Sequence, residues 1–407
     1  MRVNSSLRVG YILPKLSNSN FVLIYVKLNL NGGKIMHSTD KIATSIILIA
    51  FLPMLLQAKM ELPLHQKRLS DKVLIVWIGD YMQQIATVAL ATEKGIVVIE
   101  TSLIRAHDAR IRKAIEKEFG RKDFKYVINT HFHHDHTAGN QIYADATIIG
   151  HKNIPAGMRE ELTGEGLVKL IDKFKGMQKD REEALEHLDP ESRDYKFTEE
   201  FITCLKLAIP ELQNGFVPTY PSVLFEKNLI LDMGDMTIEL YSIGGMHTDS
   251  DIVIFVPEEG LVAIGDVAPD QMLPYIRKEL KSDFSVTLEN WGRIVESGRD
   301  IKYVNMAHSD MFLSVETFKE QYRYLNTLWQ GLSEMFRQGM TLEDAKKKYT
   351  IEKNFPYFKD KIIKMRDIDI NEYNIEAIWE RIQHISFKPY LSSKTDFNEH
   401  KHHRNFY

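Results

Sequence analysis

Thr130-His131-Phe132-His133-His134-Asp135-His136-Thr137-Ala138-Gly139-Asn140 places four histidines and an aspartate within six positions. Just before it, Phe124-Lys125-Tyr126-Val127-Ile128-Asn129 is apolar and β-branched, the pattern of a buried strand. The polar cluster thus begins where a strand ends, the position at which layered α/β folds place their chemistry. Neutral imidazole and carboxylate are ligands for borderline and hard divalent metals. His131 and His133, spaced i and i+2, can converge on one ion, while Asp135 and His136 can reach a second. The plain alternative is a solvated histidine-rich loop, and this density of histidine directly after a hydrophobic strand argues against it.

The whole chain narrows the chemistry. Its 407 residues suffice for one large domain or two medium ones, with 44% hydrophobic and 27% charged residues, as in ordinary globular proteins. A net charge of -4 carries no basic bias, so nucleic acid is not an expected partner. Cys204 is the single cysteine, so no intrachain disulfide and no thiolate zinc cluster can form. It sits in the apolar run Phe201-Ile202-Thr203-Cys204-Leu205 and reads as a buried structural thiol. Any metal must be held by nitrogen and oxygen.

Strands are expected at Val73–Ile78, Ile85–Leu90 and Ile96–Glu100, then an amphipathic helix from Ile104 to Phe119 closed by Gly120. Ala146–Gly150 reads as a further strand. From Pro155 to about Pro210 the composition turns charged, with Leu167, Leu170, Ile171 and Phe174 at helical spacing. Two or three helices are expected there, as an insertion and a candidate cap over the metal loop. Strands return at Ser222–Phe225, Leu229–Leu231, Met236–Ile243, and in the hairpin Ile252–Val256 and Leu261–Ile264 around Pro257-Glu258-Glu259-Gly260. A last strand, Tyr303–Met306, precedes amphipathic helices from Val315 onward. Phe318, Tyr322, Leu325, Leu328, Leu332 and Met335 form their apolar stripe, and Thr341 with Asp344 forms a capping box.

The N-terminus reads separately. Residues 1–35 read as an upstream extension of the reading frame. Residues 36–58 resemble a secretory signal peptide, with Ile42–Leu56 as an apolar run too short for a comfortable membrane span. A periplasmic or secreted location is expected, or a membrane-anchored one if the signal stays uncleaved.

Completing two metal shells takes more ligands, and three stand just after later strands. His247 follows Gly244-Gly245-Met246, Asp266 lies in Ile264-Gly265-Asp266-Val267, and His308 follows the 303–306 strand. His131, His133 and His247 suit one tetrahedral zinc with an open position. Asp135, His136 and His308 suit a second, and Asp266 can bridge the two ions with its two oxygens.

With these residues together, the chain resembles the metallo-β-lactamase superfamily over roughly residues 70–312. The H-x-H-x-D-H signature is matched by His131, His133, Asp135 and His136, and the later positions by His247, Asp266 and His308. The resemblance implies a four-layer αβ/βα sandwich of the α/β class, with a dinuclear site on the edge between two sheets. The resulting organisation is a domain at 69–314 with its helical insertion at 155–210, a C-terminal helical region at 315–390, and a tail at 391–407. Two departures stand out. Glu100 occupies an early strand-end position where the family usually has Asp, so a modest adjustment of that loop is expected. The spacing from His136 to His247 is long because of the insertion, which weakens substrate inference by analogy.

The chemistry implied is a pair of zinc ions sharing a water of lowered pKa, with Asp135 orienting it. No Gly-x-Ser-x-Gly elbow is present and no serine nucleophile is needed. An Asp at position 266 resembles glyoxalase II, lactonases and phosphodiesterases more than zinc β-lactamases, which favours hydrolysis of a small-molecule ester, thioester or lactone. Periplasmic β-lactam hydrolysis, a mononuclear iron persulfide dioxygenase and a non-catalytic metal-binding protein are the alternatives. Tyr220 is a weak candidate for a general acid. His134 and His151 are expected in supporting or surface roles.

Overall fold

The computed structural model describes residues 8–11, 24–27, 61–81, 85–268, 273–280, 283–308, 312–359 and 369–395, with side chains of the last helix described as far as residue 385. The signal peptide expected at 36–58, most of the extension expected at 1–35, and residues 396–407 of the expected tail lie outside them. Two compact units are present, Met1–Glu61 and Leu62–Tyr407. In the first, Arg8–Tyr11 (β1) and Ile24–Lys27 (β2) pair antiparallel, Val9 opposite Val26.

The second unit holds two sheets. The first has seven strands in sequence order: Leu64–Arg68 (β3), Val73–Ile78 (β4), Thr87–Thr92 (β5), Gly95–Ile99 (β6), Phe124–Ile128 (β7), Thr147–His151 (β8) and Val223–Phe225 (β9). Pairing is antiparallel from β3 to β6 and parallel from β6 to β9. The second has six strands: Asn228–Asp232 (β10), Thr237–Ser242 (β11), Ile252–Val256 (β12), Leu261–Ala263 (β13), Tyr303–Asn305 (β14) and Phe312–Leu313 (β15). There only β13 and β14 run parallel.

Alternation of side chains along each strand builds the layers. In β4, Val73 and Ile75 point into an apolar cluster between the sheets, where Ile238, Leu240, Ile252 and Ile254 meet them. Leu74, Val76 and Ile78 point the other way, onto Ile111 and Ile115 of the Arg105–Phe119 helix. The second sheet repeats the rule: Ile252 and Ile254 face inward, while Val253 and Phe255 face outer helices carrying Trp291, Phe318, Leu325 and Leu328. The result is helix, sheet, sheet, helix, the α/β four-layer sandwich expected from the sequence.

Three local differences have physical causes. The strand expected from Ile85 starts at Thr87, because the Ala86 N–H leaves the ladder and donates to the Ala307 carbonyl at 2.7 Å. The insertion ends at Gln213 rather than near Pro210. Pro210 sits in the last helical turn, and Asn214 folds back to its carbonyl through both backbone and side chain. The C-terminal helices also belong to the sandwich: one apolar cluster runs from Tyr241 through Phe318 to Ile382, across the boundary expected at 314. The last helix, Ile370–Thr395, continues past residue 390.

Helix ends follow sequence closely. Gly120 caps the Arg105–Phe119 helix in the left-handed region, φ 64°, and Thr341 and Asp344 form a reciprocal capping box. The insertion comprises Ile154–Leu162, Gly164–Leu185 and Arg193–Gln213, packed around Met158, Leu170, Phe174, Leu205 and Leu212.

Candidate metal centre

One edge of the sandwich gathers the polar strand ends. The two sheets are tied there by the Ile252 N–H, which donates to the Thr130 carbonyl at 2.9 Å. Gly265, at φ 55°, makes the turn that precedes Asp266, and any side chain there would strike Thr130.

The seven ligand candidates converge at this edge. His131 Nε2 lies 3.0 Å from His133 Nδ1, which lies 3.0 Å from His247 Nε2. The donor atoms of this triad all fall within 4.8 Å of one another, as do those of Asp135, His136 and His308. In the second triad, Asp135 Oδ2 is 3.2 Å from His308 Nε2 and 3.7 Å from His136 Nε2. Asp266 stands between the two. Its Oδ1 is 3.5 Å from His136 Nε2, and its Oδ2 is 3.5 Å from His247 Nε2 and 3.3 Å from His308 Nε2.

The electrostatics of the two triads differ. Burial lowers the His131 imidazole well below its usual pKa and takes His133 and His247 down to about 4. Their lone pairs are therefore available at neutral pH. In the second triad burial opposes charge, but the carboxylates of Asp266 and Asp135 outweigh it and hold His308 up at about 10. Burial likewise pushes the Asp135 carboxyl up, and His136, His134 and His308 overcome it and hold it well below the usual range.

The donor set fits a metal pair. His136 Nε2 and Asp266 Oδ1 are buried and make no hydrogen bond of good geometry among the described residues. An uncompensated buried charge costs several kcal/mol, and cations placed between the triads would satisfy these atoms.

Supporting residues come from far along the chain. Glu100 alone among the described non-glycine residues has positive φ, 69°. Its Oε1 accepts the Thr130 hydroxyl and lies 3.3 Å from His136 Nδ1. Glu100, His131 and His136 form a third convergent group, so Glu100, expected only to adjust its loop, also reaches the histidines. Asp251 accepts the His247 N–H at 2.7 Å and both the N–H and hydroxyl of Thr248, which shapes the His247 loop. Arg381, buried in the last helix, donates to the Gly245 and Arg277 carbonyls at 2.5 and 2.9 Å. His134 is tied to Glu161 at 2.8 Å. His151 is buried and contacts the Glu226 carbonyl at 3.0 Å, while Tyr220, in the loop after the insertion, packs under the Arg159 guanidinium. Neither belongs to the triads.

Comparison with known proteins agrees with this geometry. Residues 82–295 match the description of the Metallo-beta-lactamase superfamily. The chain belongs to the metallo-beta-lactamase superfamily. Metal-dependent hydrolysis, the enzyme class expected from the sequence, is the class of this superfamily. Among solved structures, the chain is similar to the stereoselective inverting sec-alkylsulfatase Pisa1 from Pseudomonas sp., at 13% identity and a TM-score of 0.52. That match covers 78% of this chain and 50% of the alkylsulfatase, so the chain spans half of that relative's length. A metallo-beta-lactamase from Pontibacter korlensis matches at 15% identity and a TM-score of 0.41, covering 64% of this chain and 99% of its own. No curated protein matches the chain in sequence. Among the described residues, no helix of this superfamily member is long and apolar enough to cross a membrane.

Proposed function

We propose that this metallo-beta-lactamase superfamily member is a dinuclear zinc hydrolase that cleaves an ester, thioester or lactone. The observation that carries the reading is the place of Asp266. A single part-buried carboxylate reaches the all-histidine triad with Oδ2 and His136 of the other triad with its buried Oδ1, which has no hydrogen-bond partner among the described residues. His131, His133 and His247 would hold one ion, Asp135, His136 and His308 the other, and Asp266 would bridge them. Such a pair supplies a water of lowered pKa and a Lewis acid at the scissile carbonyl.

The chain's own residues do the rest. Asp135, kept ionised by the histidines around it, orients the attacking water while facing the cavity beside the site. Asp251 fixes the His247 backbone, and Glu100 fixes the His136 ring through Nδ1, the outer contact that sets ring orientation. The expected export signal at 36–58 is part of this reading and would place the enzyme in the periplasm or outside the cell.

Metal analysis of the full chain beside Asp266→Ala tests it. The reading expects about two zinc ions per chain, falling towards about one in the variant, with hydrolysis of members of an ester, thioester and lactone panel. One iron per chain, with oxygen consumed in the presence of a persulfide, would replace it by the dioxygenase alternative. Turnover confined to β-lactams would keep the metals and change the substrate.

A further inference from the structure

A cavity of about 380 Å³ opens beside the second triad, with Asp135 and His308 among its lining residues. This is within the range of small-molecule sites. Its walls come from the helical insertion. Phe174 and Met177 stand on Gly164–Leu185; Phe197, Phe201 and Leu205, spaced four residues apart, share one face of Arg193–Gln213. Leu103 closes the side nearest the first sheet.

Little along these walls can serve a polar ligand. Beside Asp135 and His308, Ser102 already bonds Asp108 and His134 already pairs with Glu161, which leaves the exposed Lys173 as the charged group open to a polar ligand. Cys204 is buried, and burial pushes its thiol up, so it stays neutral. A sugar or nucleotide placed here would leave donors and acceptors unpaired, at the cost of burying polar groups without partners. A hydrocarbon chain would leave none.

Resting on the hydrolase reading above, we infer that this cavity binds a medium-length hydrocarbon chain attached to the scissile group, so that the substrate is an amphiphilic ester or thioester. The helical insertion is then the element that selects for chain length, while the triads beside it act on the polar head. No covalent chemistry beyond hydrolysis is needed.

The test uses zinc-loaded full chain and para-nitrophenyl esters from acetate to dodecanoate. Expected is a rise in kcat/KM of about fourfold per added methylene, equivalent to about 0.8 kcal/mol per buried methylene, then a plateau once the cavity is full. Met177→Trp should move the plateau to shorter chains. Binding is read separately on metal-free protein by displacement of a fluorescent long-chain fatty acid with decanoate, and Phe201→Asp should weaken it at least tenfold. A flat ester series together with no chain binding overturns the inference and leaves the hydrolase reading standing. Chain binding that depends on Phe201 or Met177, without hydrolysis of any ester, keeps the cavity assignment and sinks the hydrolase reading instead. Should Phe201→Asp fail to fold, the wild-type chain-length series and Met177→Trp decide alone.

Discussion

The two candidate triads share an edge of the sandwich and stand around one carboxylate, yet they are built differently. His131, His133 and His247 are all imidazoles, held neutral by burial. Asp135, His136 and His308 mix acid with base, and the carboxylates there keep His308 protonated in the absence of a cation. The supports differ too. Asp251 and Arg381 hold the His247 loop from the second sheet and the last helix, whereas Glu100 holds His136 from the first sheet. The difference teaches that one site is ready to accept a metal, while the other must exchange protons for it.

Removing one ligand from each side breaks the comparison most sharply. His247→Ala is expected to abolish hydrolysis and leave about one metal per chain, and His308→Ala to leave about one metal with residual activity. Metal content and turnover of the two variants, measured side by side, check this. Loss of both metals in both variants would mean that the triads fill only as a unit.

Glu100→Gln should act mainly on the second triad, because Glu100 reaches His131 only through the Thr130 hydroxyl. It keeps the shape of the side chain and removes the charge beside His136 Nδ1. Affinity for the second metal should fall roughly 10- to 100-fold, the usual cost of an outer contact to a ligating histidine. The first metal should change little, as read by titration calorimetry. Equal losses at both sites would show that Glu100 acts through the strained backbone at φ 69° rather than through His136.

The smallest effect concerns a buried carboxyl between Ser102 and Gly139. Asp108 is fully buried, accepts the N–H and hydroxyl of Ser102, and stands so close to Gly139 that any side chain at Gly139 would collide with it. Burial raises its carboxyl to about 7, against the pull of the Ser102 bonds. The folded state then binds a proton more tightly than the unfolded chain. Its contribution to stability is full below the unfolded carboxylate pKa and is lost as pH rises through about 7. Asp108→Asn should therefore shrink the fall in Tm between about pH 5 and about pH 8. An unchanged pH dependence would show that Asp108 is ionised throughout.

Much of the site was legible because ligands and strands are local patterns. Four histidines and an aspartate after an apolar strand, or a histidine after two glycines, need only a few neighbouring residues to be read. The αβ/βα layering was legible for the same reason, since alternation in Val73–Ile78 or Ile252–Val256 states which residues face which layer. Glu100 was visible as a departure from the family, but its contact with His136 was not, because the two lie on different strand ends. Arg381 carried no signal at all: it reaches Gly245 across 136 residues of chain.

The sequence by itself determined the set of candidate ligands, most of the strands and, through the family resemblance, the class of fold, because side-chain chemistry and hydrophobic period are local patterns. Only the tertiary structure decided that Glu100 and Arg381 support the triads from distant segments, and that Phe174, Met177, Phe197 and Phe201 line a cavity at Asp135. Both depend on which distant segments pack together. That is set by the summed burial of the two sheets and the insertion, and no short stretch of chain encodes it.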